Sequence, residues 1–412
     1  MSSKTLSKRS NLSIYVFATL VIFSIILFFK REHLSQQLAI PEGRIVYQQD
    51  DRPSGSLSEP IETDTVNEDG VLIISLTGPV ERNLTKTIIT GHTKDENVDW
   101  IREGFQEPEY RLRVYSVDDP ESNDLHTPIN KGHEVMPYLT YILSHYHDLS
   151  DINIFLHPHQ FAWHTWDAII PDTAELLHRF NMERVERLGY VNMRCRWNPG
   201  CPAHIDTQSL DAAADMPEMA IFANSFIELF GQDVELPAMM GGACCSQFAV
   251  TRERIQSVPI ERYAAMRDWV ITTHLDDGLA GRVFESLWQF LFLDEAVLCP
   301  REHLCYCDAY GLCFGGEDEF AAFGWLQDRR SEIERKAEHL GESMKEEEKT
   351  QLSAVSPEDI QRSRDKLEEL QTERHKAMME GQRLRAKYED AINKAFDNGK
   401  DPSKKAAELR TG

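Results

Sequence analysis

The sequence between residues 85 and 156 alternates between short apolar runs and segments with helical periodicity. The runs Thr87–Thr93, Tyr110–Val117 and Asp151–Leu156 have the length and residue types of strands. Between them, Asn97–Phe105 and His133–His147 place apolar residues at the spacing of one helix face. A strand followed by a helix and a second strand usually joins parallel neighbours. The sequence therefore predicts a three-layer α/β domain with a mostly parallel sheet.

The same pattern continues toward the C terminus. Ser246–Val250 is predicted to be a further strand, and Asp215–Phe230 and Pro259–Thr273 are predicted to be helices. Leu279–Leu293 is strongly amphipathic and predicts one more helix. We therefore expect one globular domain over residues 70–325.

The N terminus contains an uncharged apolar segment, Ser13–Phe29, that is long enough to span a bilayer. It ends in FFKREH, which is a poor cleavage site, so we predict an uncleaved signal anchor of a single-pass type II membrane protein. A cleaved signal peptide is the alternative. In this prediction residues 1–12 are cytosolic and residues 30–69 form a flexible polar stem. Either reading places the domain in the secretory pathway, in the lumen of the ER or Golgi or at the cell surface.

All eight cysteines lie between residues 195 and 313, and both ends of the chain lack them. An even number in one domain is typical of disulfides formed in an oxidising compartment. The stretch CPREHLCYCDAYGLC is the alternative, a zinc knuckle, but its spacings do not match the usual ones. The disulfide candidates are Cys195, Cys201, Cys244, Cys245, Cys299, Cys305, Cys307 and Cys313. Asn83 begins an Asn-Leu-Thr glycosylation sequon.

The chain carries a formal net charge of −24 and has no basic stripe, which argues against nucleic acid as a partner. Residues 326–412 are rich in Glu, Lys, Arg and Gln, and Ser356-Pro357 is a helix-start signal. This tail is predicted to be a solvated helical hairpin or, alternatively, a coiled coil through which copies of the chain associate. The heptad seam of the second reading consists of Leu367, Leu370, Ala377, Leu384, Tyr388 and Ala391.

Polar residues follow the predicted strands, where ligands of α/β proteins bind. Three groups are candidates. The strand-end aspartates are Asp118 and Asp119; the turn before the next helix contains Asn130, Lys131 and Gly132; the histidines are His157, His159 and His164. The turn is suited to phosphate, because a helix N terminus favours anions. The histidines are suited to a divalent metal, Mn or Zn, or to a phosphate or sugar; packing beside Trp163 and Trp166 is the alternative.

This arrangement resembles the first half of a GT-A-type glycosyltransferase over roughly residues 85–165. The resemblance implies that Asp118, Asp119 and the turn bind the nucleotide and phosphates of a nucleotide-sugar donor. It also implies a metal after the third strand, where His157 and His159 replace the expected carboxylates. An acidic residue near a late helix would be the general base, and Asp277 and Glu285 are the candidates.

The chain also resembles, much more closely, a fungal family called domain of unknown function 3431. The resemblance covers about residues 85–315 and implies a fungal secretory-pathway protein without an established activity. The strings that carry it are NKGHE (130–134), YLTYIL (138–143), IFLHPH (154–159), GYVNMRCRWNPGCP (189–202), CCSQFAVTRERI (244–255), GRVFESLW (281–288) and CYCDAYGLC (305–313).

Three functions follow as hypotheses. The first is a membrane-anchored, glycosyltransferase-like enzyme that uses a nucleotide-sugar donor on glycans or glycoproteins. The second is a non-catalytic, disulfide-rich module that is anchored in the membrane and forms homo-oligomers through its tail. The third is a metal-dependent hydrolase or oxidase at the histidine cluster.

Overall fold

The computed structural model describes residues 83–162, 169–208, 217–354 and 356–411, and two short strands near the N terminus. Those two strands, β1 (Thr65–Val66) and β2 (Leu72–Ile73), pair antiparallel within a separate N-terminal unit, residues 1–77. All other described elements belong to a second unit, residues 78–412. The predicted anchor, residues 13–29, lies outside the described residues. Within the described part of the chain, no helix combines the length and the apolar character needed to cross a membrane.

A six-stranded sheet forms the centre of the second unit, in the spatial order β5-β4-β3-β6-β10-β7. Its strands are β3 (Lys86–His92), β4 (Tyr110–Ser116), β5 (Leu125–His126), β6 (Ile152–Leu156), β7 (Tyr190–Asn192) and β10 (Phe248–Thr251). Strand β3 pairs in parallel with β4 and β6, whereas β10 runs antiparallel to both β6 and β7. The predicted strands and the parallel-rich sheet are thus confirmed.

Side-chain alternation along the strands creates two apolar cores, one on each face of the sheet. Ile88 and Ile154 belong to the first core, and their neighbours Ile89 and Phe155 belong to the second. The helices of the first face are α1 (Asp99–Gly104), α3 (Thr173–Arg179), α4 (Met182–Leu188) and α10 (Glu302–Tyr310). Those of the second are α2 (Val135–His145), α5 (Met219–Phe230), α6 (Arg252–Ser257), α7 (Ile260–Thr272), α8 (Asp277–Glu285) and α9 (Trp288–Leu293). Helices therefore cover both faces, as predicted.

The amphipathic segment Leu279–Leu293 is two helices, not one. Helix α8 begins at the cap Asp276, whose side chain accepts a hydrogen bond from the Leu279 N–H, and it ends at Glu285. The chain turns at Ser286 and Leu287 before α9. Both helices bury their apolar residues in the same core, so the periodicity in the sequence does not reveal the break.

A small second sheet and four disulfides accompany the main sheet. Its strands are β8 (Ile205–Asp206), β9 (Met239–Gly242) and β11 (Val297–Leu298), in the order β11-β9-β8. The disulfides are Cys195–Cys305, Cys201–Cys299, Cys244–Cys245 and Cys307–Cys313. All eight cysteines are thus paired, which confirms the disulfide prediction and contradicts the zinc-knuckle alternative.

The C-terminal region is a long helical hairpin that packs on the α/β domain. It consists of α11 (Glu317–Ser353) and α12 (Pro357–Lys400), followed by the short helix α13 (Pro402–Leu409). As predicted, Ser356 caps α12 by accepting a hydrogen bond from the Asp359 N–H. Within the predicted seam, Ala377 and Leu384 pack against Ile333 and Leu340 of α11 in the same chain. Association of copies through this seam stays a prediction.

The hairpin also extends the first core of the domain. Tyr388 and Ala395 of α12 are buried there, and the Tyr388 ring stacks on Phe323 with a centroid distance of 5.0 Å. The Cys313 N–H donates to the Ala395 carbonyl, and the Asn398 amide donates to the Cys313 carbonyl. The structure thus shows no separation at the predicted boundary near residue 325, which falls inside α11.

Candidate functional site

A pocket opens at the carboxyl ends of β3 and β6. The chain leaves β3 toward β4 on one side of the sheet and later returns to place β6 on the other side. Such a reversal in strand order leaves a crevice where α/β proteins bind ligands. The pocket has a volume of about 490 Å³, which is enough for a small molecule. Its carboxylates are Glu96, Glu134 and Glu285, its guanidinium is Arg282, and its imidazoles are His92, His133, His157 and His159.

Two of these carboxylates, Glu134 and Glu285, interact electrostatically in the pocket. Glu134 directly precedes α2, is only 9% exposed, and its Oε1 is buried without a hydrogen-bond partner. Glu285 is the last residue of α8. Burial, followed by the nearby charge of Glu134, raises the pKa of Glu285 from 4.5 to about 8. Glu285 can therefore hold or release a proton near neutral pH.

Arg282 lies one turn before Glu285 and moderates this effect. Its positive charge lowers the pKa of Glu285, but less than burial and Glu134 raise it. The Arg282 guanidinium also lies 3.3 Å from Glu218, outside the pocket lining. About half of the Arg282 side chain is exposed, so it remains accessible to a negatively charged ligand group.

The turn before α2 is held in place by Asp277. The Asp277 carboxylate accepts hydrogen bonds from the Gly132 N–H at 2.5 Å and the His133 N–H at 3.3 Å. Its second oxygen lies 3.2 Å from the His133 ring. The anion at the predicted phosphate turn is thus a carboxylate of the same chain. Asp277, predicted as a catalytic candidate, fixes the backbone beside Glu134 and is not itself in the pocket lining.

The backbone around the pocket adopts conformations that side chains other than glycine rarely take. His133 has a φ of 48°, Cys245 of 81° and Ser246 of 48°. His133 and Cys245 line the pocket, and Ser246 is adjacent. Residues in such conformations need support from their surroundings and cluster at functional sites.

The two described histidines of the predicted metal cluster line the pocket but have different partners. The His157 Nε2 lies 2.9 Å from the Cys245 carbonyl, and the His159 Nε2 lies 3.0 Å from Glu96. His164 falls outside the described residues. Within the described ranges, the only group of three potential metal ligands is Cys307, Cys313 and Glu408, and its cysteines form a disulfide. A metal at the histidines therefore stays a prediction.

The other predicted nucleotide-binding residues differ in whether they line the pocket. Asn130 lines the pocket. Asp118 accepts a hydrogen bond from the Lys94 N–H, Asp119 accepts one from the Glu121 N–H, and neither belongs to the pocket lining. The Lys131 ammonium donates to the Thr273 carbonyl at the end of α7, also away from the pocket. Asn83, the glycosylation candidate, is exposed.

Sequence reasoning missed Glu134, His133 and Arg282. Glu134 directly follows the turn that was singled out, and Arg282 is one turn from Glu285, so sequence position alone gave a signal for both. The disulfide between adjacent cysteines was also missed as a pocket feature. Its place in the pocket wall depends on which cysteines pair, and a sequence with eight cysteines does not determine the pairing.

The fold and the site define a disulfide-bonded α/β protein with a pocket of carboxylates and imidazoles at the strand reversal of its sheet. The model of the family described as Protein of unknown function (DUF3431) matches residues 88–308, more than half of the chain. The chain belongs to this family, as its sequence motifs predict. Every pocket-lining residue lies within the match, whereas α11 to α13 lie after it. No curated protein and no solved structure gives a significant match.

Proposed function

We propose that the pocket is the active site of a glycosyltransferase-like enzyme in which Glu285 transfers the proton. The observation that carries this proposal is the position of Glu285 in the pocket beside Glu134, with a pKa of about 8. Proton transfer is most effective when the pKa of the catalytic group is near the working pH. The location of the pocket at the strand reversal is a second support.

The proposed chemistry begins with an acceptor hydroxyl beside the ionised form of Glu285. The carboxylate takes the hydroxyl proton while the oxygen attacks the anomeric carbon, and the bond to the nucleoside diphosphate breaks. Positive charge develops on the sugar ring in such a transition state. The Glu134 carboxylate is placed to stabilise it, and Arg282 to attract the departing phosphate.

The remaining parts of the proposal concern the metal and the compartment. A divalent metal at His157 and His159 would neutralise the diphosphate. Asn130 at the pocket would contact the nucleotide or phosphates of the donor. Four disulfides in one domain support a secretory-pathway location, with the apolar segment 13–29 as the anchor and glycans or glycoproteins as acceptors.

The test uses the full chain purified in detergent. Its thermal stability is measured with UDP- and GDP-sugars, with and without Mn²⁺, because a ligand that binds the folded state raises the melting temperature. Release of nucleoside diphosphate is then followed with the donor that stabilises most. We expect Glu285→Gln to bind this donor and to react at least about 100-fold more slowly.

One control variant and one further test variant accompany the experiment. Glu261→Gln changes an exposed glutamate on the adjacent helix α7 and should leave the rate unchanged. His157→Ala combined with His159→Ala should weaken donor binding in the presence of the metal. The proposal is abandoned if no nucleotide sugar stabilises the protein under either condition, or if Glu285→Gln is as active as the unchanged chain.

A further inference from the structure

We propose that the Cys244–Cys245 disulfide is the surface on which the apolar face of the substrate's sugar ring packs in the pocket. Both cysteines line the pocket, which is the one that contains Glu134 and Glu285. The inference takes from the proposed function that the ligand carries a sugar, and it adds which surface recognises the ring.

This disulfide does not cross-link distant parts of the fold. A disulfide stabilises a protein mainly by restricting the unfolded chain, and the effect grows with the length of the closed loop. Cys195–Cys305 and Cys201–Cys299 join residues that are 110 and 98 positions apart. Cys244 and Cys245 are 1 position apart, so their bond closes no such loop. What this bond changes is the local shape of the pocket wall.

Three side chains form hydrogen bonds to the loop that bears the disulfide and hold it in place. The Asn192 amide of β7 donates to the Ala243 carbonyl at 2.6 Å. The ring of His157, which follows β6, lies 2.9 Å from the Cys245 carbonyl. The Trp288 indole of α9 donates to the Ser246 hydroxyl at 3.1 Å. A wall fixed in this way binds a ligand without first having to be ordered.

The lining around the disulfide offers few hydrogen-bonding groups. Disulfide sulfurs have no proton to donate and are polarisable and weak as acceptors. Pro137, Pro158 and Pro199 add further surface without side-chain donors or acceptors. Phe, Tyr and Trp are absent from the described lining, so the only large flat apolar surface there is that of the disulfide and the prolines.

The same pocket also carries the carboxylates, Arg282 and several imidazoles. A ligand that matches both kinds of surface has an apolar face and a rim of hydrogen-bonding groups. A pyranose ring has this form: its C–H bonds form the face and its hydroxyls form the rim. The rim hydroxyls would bond to the carboxylates while the C–H face contacts the disulfide.

The experiment is saturation-transfer NMR on the full chain with methyl α-glucoside, methyl α-mannoside and methyl β-galactoside. Uridine is measured in the same way, to test whether the pocket binds a nucleoside instead of a sugar. We expect at least one glycoside to bind, with the strongest saturation on the ring C–H protons of one face. Cys244→Ala combined with Cys245→Ala should weaken that binding by about tenfold. Cys307→Ser combined with Cys313→Ser removes a disulfide outside the pocket lining and should change it less than twofold.

The epitope of the bound glycoside is measured on the unchanged chain, so the test does not depend on the folding of a variant. Saturation spread evenly over both faces of the ring, or binding of uridine without any glycoside, overturns the inference. Unchanged glycoside affinity in the folded double alanine variant does so too. Glu285→Gln separates the two proposals, because it should abolish sugar transfer yet retain glycoside binding. If the Glu285→Gln variant still transfers sugar, while the double alanine variant does bind the glycoside more weakly, only the proposed function fails.

Discussion

Replacing Glu285 by glutamine should make the protein more stable at alkaline pH. Glu285 has a pKa of about 8 in the folded chain, against 4.5 as the usual value. Between these two values the folded state keeps a proton that the unfolded state has released, so the free energy of unfolding falls as the pH rises. At about 1.36 kcal/mol per pKa unit, the total loss is on the order of 3–5 kcal/mol.

The glutamine variant cannot ionise at this position, so it lacks this part of the pH dependence. At pH 5 its free energy of unfolding should be close to that of the unchanged chain. At pH 8.5 it should be higher by several kcal/mol, on the order of the loss worked out above. Urea denaturation at the two pH values, with the disulfides kept intact, measures both differences.

Two variants make the comparison specific. Glu134→Gln removes the neighbouring charge that raises the pKa of Glu285, so the loss between pH 5 and pH 8.5 should become smaller. Glu261→Gln on the surface of α7 should follow the unchanged chain at both pH values. The reasoning is refuted if Glu285→Gln changes the stability equally at pH 5 and pH 8.5.

Three further predictions concern stability. Asp277→Ala should lower the free energy of unfolding by about 1–3 kcal/mol, because two backbone N–H groups lose their acceptor; urea denaturation measures this, and an unchanged midpoint contradicts it. Cys195→Ser combined with Cys305→Ser should cost about 3 kcal/mol, because the intact Cys201–Cys299 bond lies inside this one and leaves it a closed loop of about 15 residues. Removing the Cys307–Cys313 disulfide, which joins positions 6 apart, should lower the melting temperature less, and equal decreases for the two variants contradict this expectation. Tyr388→Ala should cost about 3–5 kcal/mol by removing packing on Phe323, whereas a solvated tail would make it neutral in the same melt.

The parallel part of the sheet was predictable because its signals are local. Strands β3, β4 and β6 are short apolar runs that are visible in their own residues, and helical segments separate them. The antiparallel insertion of β10 between β6 and β7 was not predictable, because it depends on contacts between residues far apart in sequence. The pairing of the cysteines has the same cause, since spacing alone does not determine connectivity.

The candidate site was predicted in location but only partly in composition. His157, His159 and Glu285 line the pocket, and their roles in it stay predictions. After β4, the pocket lies at the edge of the sheet where ligands were predicted, but Val117 lines it and Asp118 does not. Glu134 is notable for its burial and for its charge interaction with Glu285, and neither can be read from the linear sequence.

The attachment of the hairpin to the first core has a consequence for biosynthesis. Chains emerge from the ribosome N terminus first, and the residues matching the family end at position 308. Tyr388 and Ala395, which fill that core, come much later in the chain, and the Asn398 amide then completes the bonding of Cys313. The family domain therefore leaves this apolar face uncovered during translation. Chaperones can bind this apolar face until α12 has been synthesised and packs on it.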